Sequence, residues 1–169
     1  MSRFEESGIL NLLSIIPDHP ATRIMHITKD EIEFVEQIKR FVEIKNYEYL
    51  INTLDRHFLR DIEELKSKRV SIKYVSLKQR RYVNMAKLYD FVFVTTIIPD
   101  RVLDIFLNRI HSHIRNAGNI IFLIERDRDD KRYRLYDLLE KNYFVATNSI
   151  DIFRDYEVVI SKKMHGWGG

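Results

Sequence analysis

Between Ile9 and Ala117 the chain contains no glycine; its five glycines are Gly8, Gly118, Gly166, Gly168 and Gly169. Nucleotide-binding folds usually hold a ligand's charged group with a glycine-rich turn after the first strand, where the missing Cβ lets backbone come close. No such turn can be drawn here. Cysteine is absent altogether. That excludes disulfides, zinc–thiolate sites and a thiol nucleophile, and it agrees with a reducing, cytoplasmic location. The stretch Met1 to Glu6 lacks a basic segment followed by a long apolar run, so no signal peptide is expected. No uncharged apolar run approaches the roughly 20 residues of a membrane span, so no membrane partner is expected. A Gly-x-Ser-x-Gly serine elbow and a phosphate-binding P-loop are both missing.

What is present suits one globular domain. The chain has 169 residues, of which 45% are hydrophobic and 31% charged, with a net charge of +3. That is enough apolar residue for a sizeable core and too little excess charge to mark a nucleic-acid binder. No linker, repeat or low-complexity tract divides it. A single domain over 1–163 is expected, followed by a flexible tail, 164–169, that carries the only tryptophan, Trp167. Such a tail could anchor a partner or a neighbouring subunit, which leaves a homodimer open.

Hydrophobic periodicity alternates along the chain. Arg23 to Ile27 reads as a strand, and Lys29 to Lys45 as a helix carrying Phe34, Val35, Ile38, Phe41 and Val42 on one face. Thr28 and Glu31 have the spacing of a capping box. Tyr47 to Ile51 reads as strand, Asp55 as the cap of a helix with Phe58, Leu59, Ile62 and Leu65, and Val70 to Leu77 as strand. A short helix is expected between that strand and Phe91-Val92-Phe93-Val94. This last run is continuously apolar, as in the buried centre of a parallel sheet. Pro99 opens a helix bearing Val102, Leu103, Phe106, Leu107, Ile110 and Ile114, with Gly118 as its C-terminal cap. Ile120 to Ile124 is a second buried strand. Asp129 or Asp130 starts a helix, and two strands, Phe144 to Ile152 and Tyr156 to Ser161, close the chain. Their connection is too short for a crossover, so they form an antiparallel hairpin. The fold class is α/β: a three-layer α/β/α, mainly parallel, Rossmann-like sheet with a C-terminal antiparallel hairpin.

This order resembles the class I methyltransferases, which use S-adenosylmethionine. Tyr89-Asp90-Phe91-Val92-Phe93-Val94 is similar to that family's fourth strand, Asn119 to Ile124 to its fifth, and Asp151 to Lys163 to its closing hairpin. The resemblance implies that S-adenosylmethionine is the cofactor, in a methyltransferase-like protein whose cofactor loop is degenerate. If active, the chain would move a methyl group to a small-molecule or RNA acceptor. The family's first motif, an acid and a glycine-rich turn, falls on Met25-His26-Ile27-Thr28-Lys29-Asp30-Glu31. The acid that holds the ribose hydroxyls falls on Asn52. After the fourth strand stands Thr95-Thr96-Ile97-Ile98-Pro99-Asp100, which is not the Asn-Pro-Pro-aromatic motif of amino-methylating members.

The carboxyl ends of the strands form the mouth of such a sheet. His26, Thr28, Asn52, Thr53 and Thr95 are therefore the candidate cofactor-binding residues, with Ser76 and Thr96 on the same rim. Helix capping and core packing account for the same residue types. No catalytic residue can be named. The alternative is a non-catalytic binding module for RNA or a protein partner. Its candidate residues are Lys73, Lys78, Arg80 and Arg81, in a stretch from Leu65 to Tyr89 that has eight cations and no acid. Tyr74 and Tyr82 supply rings there that could stack on bases. No metal site is expected: His111 and His113 diverge on a helix, and Asp127, Asp129 and Asp130 lack the pattern of a calcium loop.

Overall fold

A computed structural model describes residues 2–83 and 86–164. Seven strands and five helices follow one another as α1 (Glu6–Leu13), β1 (Arg23–Thr28), α2 (Ile32–Lys45), β2 (Glu48–Thr53), α3 (Arg56–Ile62), β3 (Val70–Tyr74), β4 (Tyr89–Val94), α4 (Asp100–His111), β5 (Ile114–Glu125), α5 (Asp129–Lys141), β6 (Phe144–Ile150) and β7 (Tyr156–Lys163). One 3-10 turn, Glu63–Leu65, continues α3. The expected tail lies, beyond Met164, outside the described residues.

The strands form one sheet in the order β3-β2-β1-β4-β5-β7-β6. Pairings among β1 to β5 are parallel. β7 runs antiparallel to β5 and β6, as the short final turn requires. The chain winds outward from β1 to β3, then returns to place β4 on the other side of β1. That reversal, between β1 and β4, is where open α/β sheets form a crevice.

Alternate residues of each strand face opposite layers. Ile24, Tyr49, Ile51, Phe91 and Phe93 meet α1, α2 and α3 through Ile9, Leu12, Phe34, Val35, Ile38 and Phe58. Met25, Ile27, Leu50, Val92 and Val94 meet α4 and α5 through Leu103, Phe106, Leu107, Ile110, Leu135 and Leu139. Asp55 caps α3 as expected, its carboxylate accepting the His57 N–H at 2.7 Å.

Three local expectations are corrected. No helix joins β3 to β4 among the described residues. The segment instead buries Tyr82 and Val83. The Tyr82 N–H donates to His113 Nε2 at 3.1 Å, and Arg109 donates to the Leu77 and Gln79 carbonyls. Those bonds replace the ones a helix would make internally.

Gly118 is not a helix cap. α4 ends at His111, and Ile114 begins β5. The register jumps from Tyr89↔Ile114 to Phe91↔Asn119, so β5 bulges against β4. A Cβ on Gly118 would stand 2.8 Å from the Arg115 carbonyl oxygen and 3.0 Å from that of Asp90. Close backbone approach is therefore the reason for glycine.

The Thr28–Glu31 capping box does not form. Thr28 is the last residue of β1, its hydroxyl donates to the Asp30 carbonyl at 2.6 Å, and α2 begins at Ile32.

Candidate functional site

The turn from β1 to α2 keeps the backbone shape that a glycine would supply, on a residue that is not glycine. Glu31 has φ 71° and ψ 62°, a left-handed conformation that costs an L-residue about 1–2 kcal/mol. Its side chain explains how the turn is held. The carboxylate accepts from Arg3 Nε at 2.7 Å, from the Ser2 hydroxyl at 2.8 Å and from the Arg3 backbone N–H at 3.3 Å. Arg3 Nη2 reaches Asp30 Oδ1 at 2.7 Å and the Thr95 carbonyl at 3.3 Å. The N-terminus thus lies across the β1–β4 crevice and pins the turn to the end of β4. The Glu31 side chain is 5% exposed. Burial works against the Arg3 charge, but the bond to Glu31 and the fields of Asp30, Tyr156 and Glu31 outweigh it and raise its pKa above the ordinary value. The guanidinium also lies 5.4 Å from the Phe4 ring centre and 5.9 Å from that of Tyr156, close enough for cation–π attraction.

The five candidate cofactor residues are all buried; Thr28 and Thr53 are register partners on β1 and β2, and His26 and Thr95 are joined by a side-chain hydrogen bond. His26 Nε2 lies 2.7 Å from the Thr95 hydroxyl, while its Nδ1 lies 2.7 Å from the Tyr49 hydroxyl. The imidazole sits beside Phe34 and Phe93 with no exposed surface. Burial lowers its pKa to about 3, so it is neutral at physiological pH. Both ring nitrogens are engaged within the chain. Thr28 and Thr53 make equivalent turns: each hydroxyl donates to the carbonyl two residues on, at Asp30 and Asp55.

Asn52 differs. Its amide nitrogen donates to the Tyr82 carbonyl at 3.1 Å, which fixes the orientation of the group. Its side-chain oxygen is then buried without a partner among the described residues. An unmatched buried acceptor costs about 1–3 kcal/mol, so Asn52 carries an unmet hydrogen-bond capacity at the end of β2.

A second unmet group lies at the β4–β5 end. The Thr96 hydroxyl is buried and has no partner among the described residues. Thr96 lines a cavity of about 60 Å³ together with Arg3, Ile98, Leu103, Phe122 and Tyr156. Its walls are mostly apolar, and Asp100, Glu125 and Lys131 also line it. The space fits a few waters and falls below the roughly 300 Å³ of a small-molecule pocket. Arg3 closes it on one side and also lines a polar hollow with Asp30, Glu31 and Glu33 on the other. Sequence reasoning missed Arg3 as a member of the site. The available signal was the Asp30–Glu31 pair, two carboxylates at a turn that needs a counter-charge.

S-adenosylmethionine combines an ammonium, a sulfonium, a carboxylate and a ribose. The residues present fit part of it. The Asp30 and Glu31 carboxylates and the Thr95 carbonyl suit cationic groups, and the Asn52 oxygen suits a hydroxyl. With Arg3 seated, the cationic part of that set is already satisfied.

The basic stretch is not arranged as a stacking platform. Lys78, Arg80 and Arg81 are exposed, and Lys73 is half-buried on β3. However, Tyr82 is buried against Phe106 and His113, and the Arg56 guanidinium covers the Tyr74 ring at 4.0 Å. Tyr82 is thus taken up in the core, and one face of Tyr74 is already stacked by Arg56. Among the described residues, no three His, Asp or Glu side chains gather to hold a metal, and no helix is long and apolar enough to cross a membrane.

No protein-family model and no curated protein matches the sequence. Solved structures do match the fold. A TehB-like SAM-dependent methyltransferase from Corynebacterium glutamicum superposes with a TM-score of 0.74 at 11% identity, over 94% of this chain and 89% of the other. A SAM-dependent methyltransferase from Aquifex aeolicus gives 0.73 at 11% identity, over 95% and 90%. The fibrillarin pre-rRNA processing protein of Methanococcus jannaschii gives 0.72 at 10% identity, over 89% and 70%. The chain spans about half the length of two further matches, the CurJ carbon methyltransferase (52%) and the citrinin polyketide synthase CMeT domain (51%). At these identities the likeness speaks for architecture. The chain has the Rossmann-like fold of the class I, SAM-dependent methyltransferases.

Proposed function

We propose that this chain is an S-adenosylmethionine-dependent methyltransferase whose cofactor lies across the carboxyl ends of β2, β1 and β4. The observation that carries the reading is the Asn52 oxygen at the end of β2, buried without a partner among the described residues. It sits where the resemblance places the ribose-holding residue, and a ligand hydroxyl there would relieve a buried acceptor. Asp30, Glu31 and the Thr95 carbonyl would hold the cationic end. Thr28 and Thr53 shape the two turns that flank it, and His26 fixes Thr95 from below.

The bound cofactor would supply an electrophilic methyl group. The chain's part is to orient it and to exclude water. In-line transfer depends on position more than on an acid or base, so the neutral, fully engaged His26 is a positioning residue. The acceptor would enter over β4 and β5, where the cavity walls are apolar. This favours a small molecule with an apolar portion. An RNA acceptor, suggested by the fibrillarin likeness, is less favoured because Tyr82 is buried and Arg56 already stacks on Tyr74.

Calorimetric titration with S-adenosylmethionine and S-adenosylhomocysteine, up to millimolar concentration, tests the reading. Binding is expected in the wild type, with about a tenfold loss in Asn52→Ala, the worth of one hydrogen bond. Absence of heat with both ligands would overturn it.

A further inference from the structure

The cation that fills the acidic turn belongs to the chain itself. Arg3 sits against Glu31, Asp30 and the Thr95 carbonyl, and it reaches them from a segment that precedes α1. Behind it lies the apolar cavity with the unpartnered Thr96 hydroxyl. In front lies the polar hollow of Ser2, Asp30, Glu31 and Glu33. Arg3 lines both spaces. Two observations distinguish this from an ordinary surface ion pair. The acceptor is a carboxylate with 5% exposure at a left-handed residue, and the space behind Arg3 holds a buried hydroxyl with no partner among the described residues.

We propose that Ser2–Arg3 is an intramolecular gate: the Arg3 guanidinium occupies a cation subsite that a ligand's ammonium or sulfonium group takes when the segment swings out. Withdrawal of Arg3 would join the polar hollow to the apolar cavity in one cleft across β1, β4 and β5. The wall of that cleft would then offer two carboxylates, the Thr95 carbonyl and the Thr96 hydroxyl. The ligand competes with an arginine already in place, so its apparent affinity falls by the fraction of molecules with the gate open. The gate requires no new element. Only Ser2 and the Arg3 side chain have to leave, with Phe4 still buried against Phe34 and Phe153 and α1 still packed through Ile9, Leu12 and Leu13. This regulation rests on the cofactor reading for its natural ligand, but the subsite itself is testable without it.

The test uses the full chain and two variants, Arg3→Ala and Arg3→Met. The second keeps an apolar stem over Phe4 and Tyr156 should the first disturb folding. In one arm, methylguanidinium is titrated while the backbone amides of Asp30, Glu31, Thr95 and Thr96 are followed by nuclear magnetic resonance. Saturable shifts are expected in the variants at lower concentration than in the wild type. Equal responses, or none in the variants, would overturn the gate and leave Arg3 a structural clamp. In the other arm, S-adenosylhomocysteine is titrated by calorimetry, and the variants are expected to bind about tenfold tighter than wild type. Equal or weaker binding in the variants overturns the gate and leaves the cofactor reading standing. No binding in any protein, with a positive first arm, supports the subsite and overturns the cofactor reading.

Discussion

At the β1 and β2 side of the mouth, polar groups are answered from within the chain. Glu31 and Asp30 meet Arg3, Thr28 and Thr53 close their own turns, and His26 spends both nitrogens on Tyr49 and Thr95. Asn52 alone of these keeps an unmet oxygen. At the β4 and β5 side the walls are Ile98, Leu103 and Phe122, enclosing a small cavity and the idle Thr96 hydroxyl. The first half is held by directional bonds and paired charges, the second by packing. Without glycine in the β1–α2 turn, the mouth is filled by Arg3 on Glu31 and Asp30, and the sheet that forms it is complete.

If the second half rests on packing, truncating its core should cost most. Phe106 is fully buried against Tyr82, with ring centres 5.6 Å apart. Phe106→Ala is expected to lose about 3–5 kcal/mol in urea denaturation. A loss below about 1 kcal/mol would break the contrast.

The first half should instead show in the pH dependence. The unfolded chain protonates His26 near its ordinary pKa of 6.5, whereas the folded chain holds it neutral down to about 3. Between these values the unfolded state binds one more proton. Stability therefore falls as pH drops from 6.5 toward 3, by up to about 1.4 kcal/mol per pH unit from this group. Above pH 6.5 its contribution is constant. Comparing urea midpoints of wild type and His26→Gln across pH 4 to 7 isolates the slope, which the variant should lack.

Smaller effects are expected at Arg3 and Asn52. Arg3→Met leaves the enclosed Glu31 carboxylate without its guanidinium partner. Because the Arg3 side chain is 33% exposed, water makes up part of the loss, and about 1–2 kcal/mol is expected in thermal unfolding. Asn52→Leu removes an acceptor that already lacks a partner as well as one bond to Tyr82. Its stability should stay within about 1 kcal/mol of wild type, while S-adenosylhomocysteine binding weakens about tenfold. A variant that loses stability and keeps binding would reverse the assignment of Asn52.

The sequence carried the layer architecture because each element announces itself locally. Phe91 to Val94 could only be a buried strand, and the short turn before Tyr156 dictated the antiparallel hairpin. Gly118 was misassigned because a glycine near a helix end looks the same whether it caps or bulges. The backbone of Arg115 and Asp90 decides, and those groups are close only in the folded sheet. The missing helix between β3 and β4 was hidden in the same way: the partners of that segment, Arg109 and His113, lie some 30 residues further along. The rim residues were legible as a set, since strand ends converge by topology. Their engagement was not, because Arg3 reaches Glu31 from the far side of α1, and no local pattern couples the two.

Titration of wild type and Arg3→Met with S-adenosylhomocysteine in one calorimetric series tests the central claim most directly. The account predicts measurable binding in both, tighter in the variant by about tenfold. No heat from either protein at millimolar ligand would contradict it.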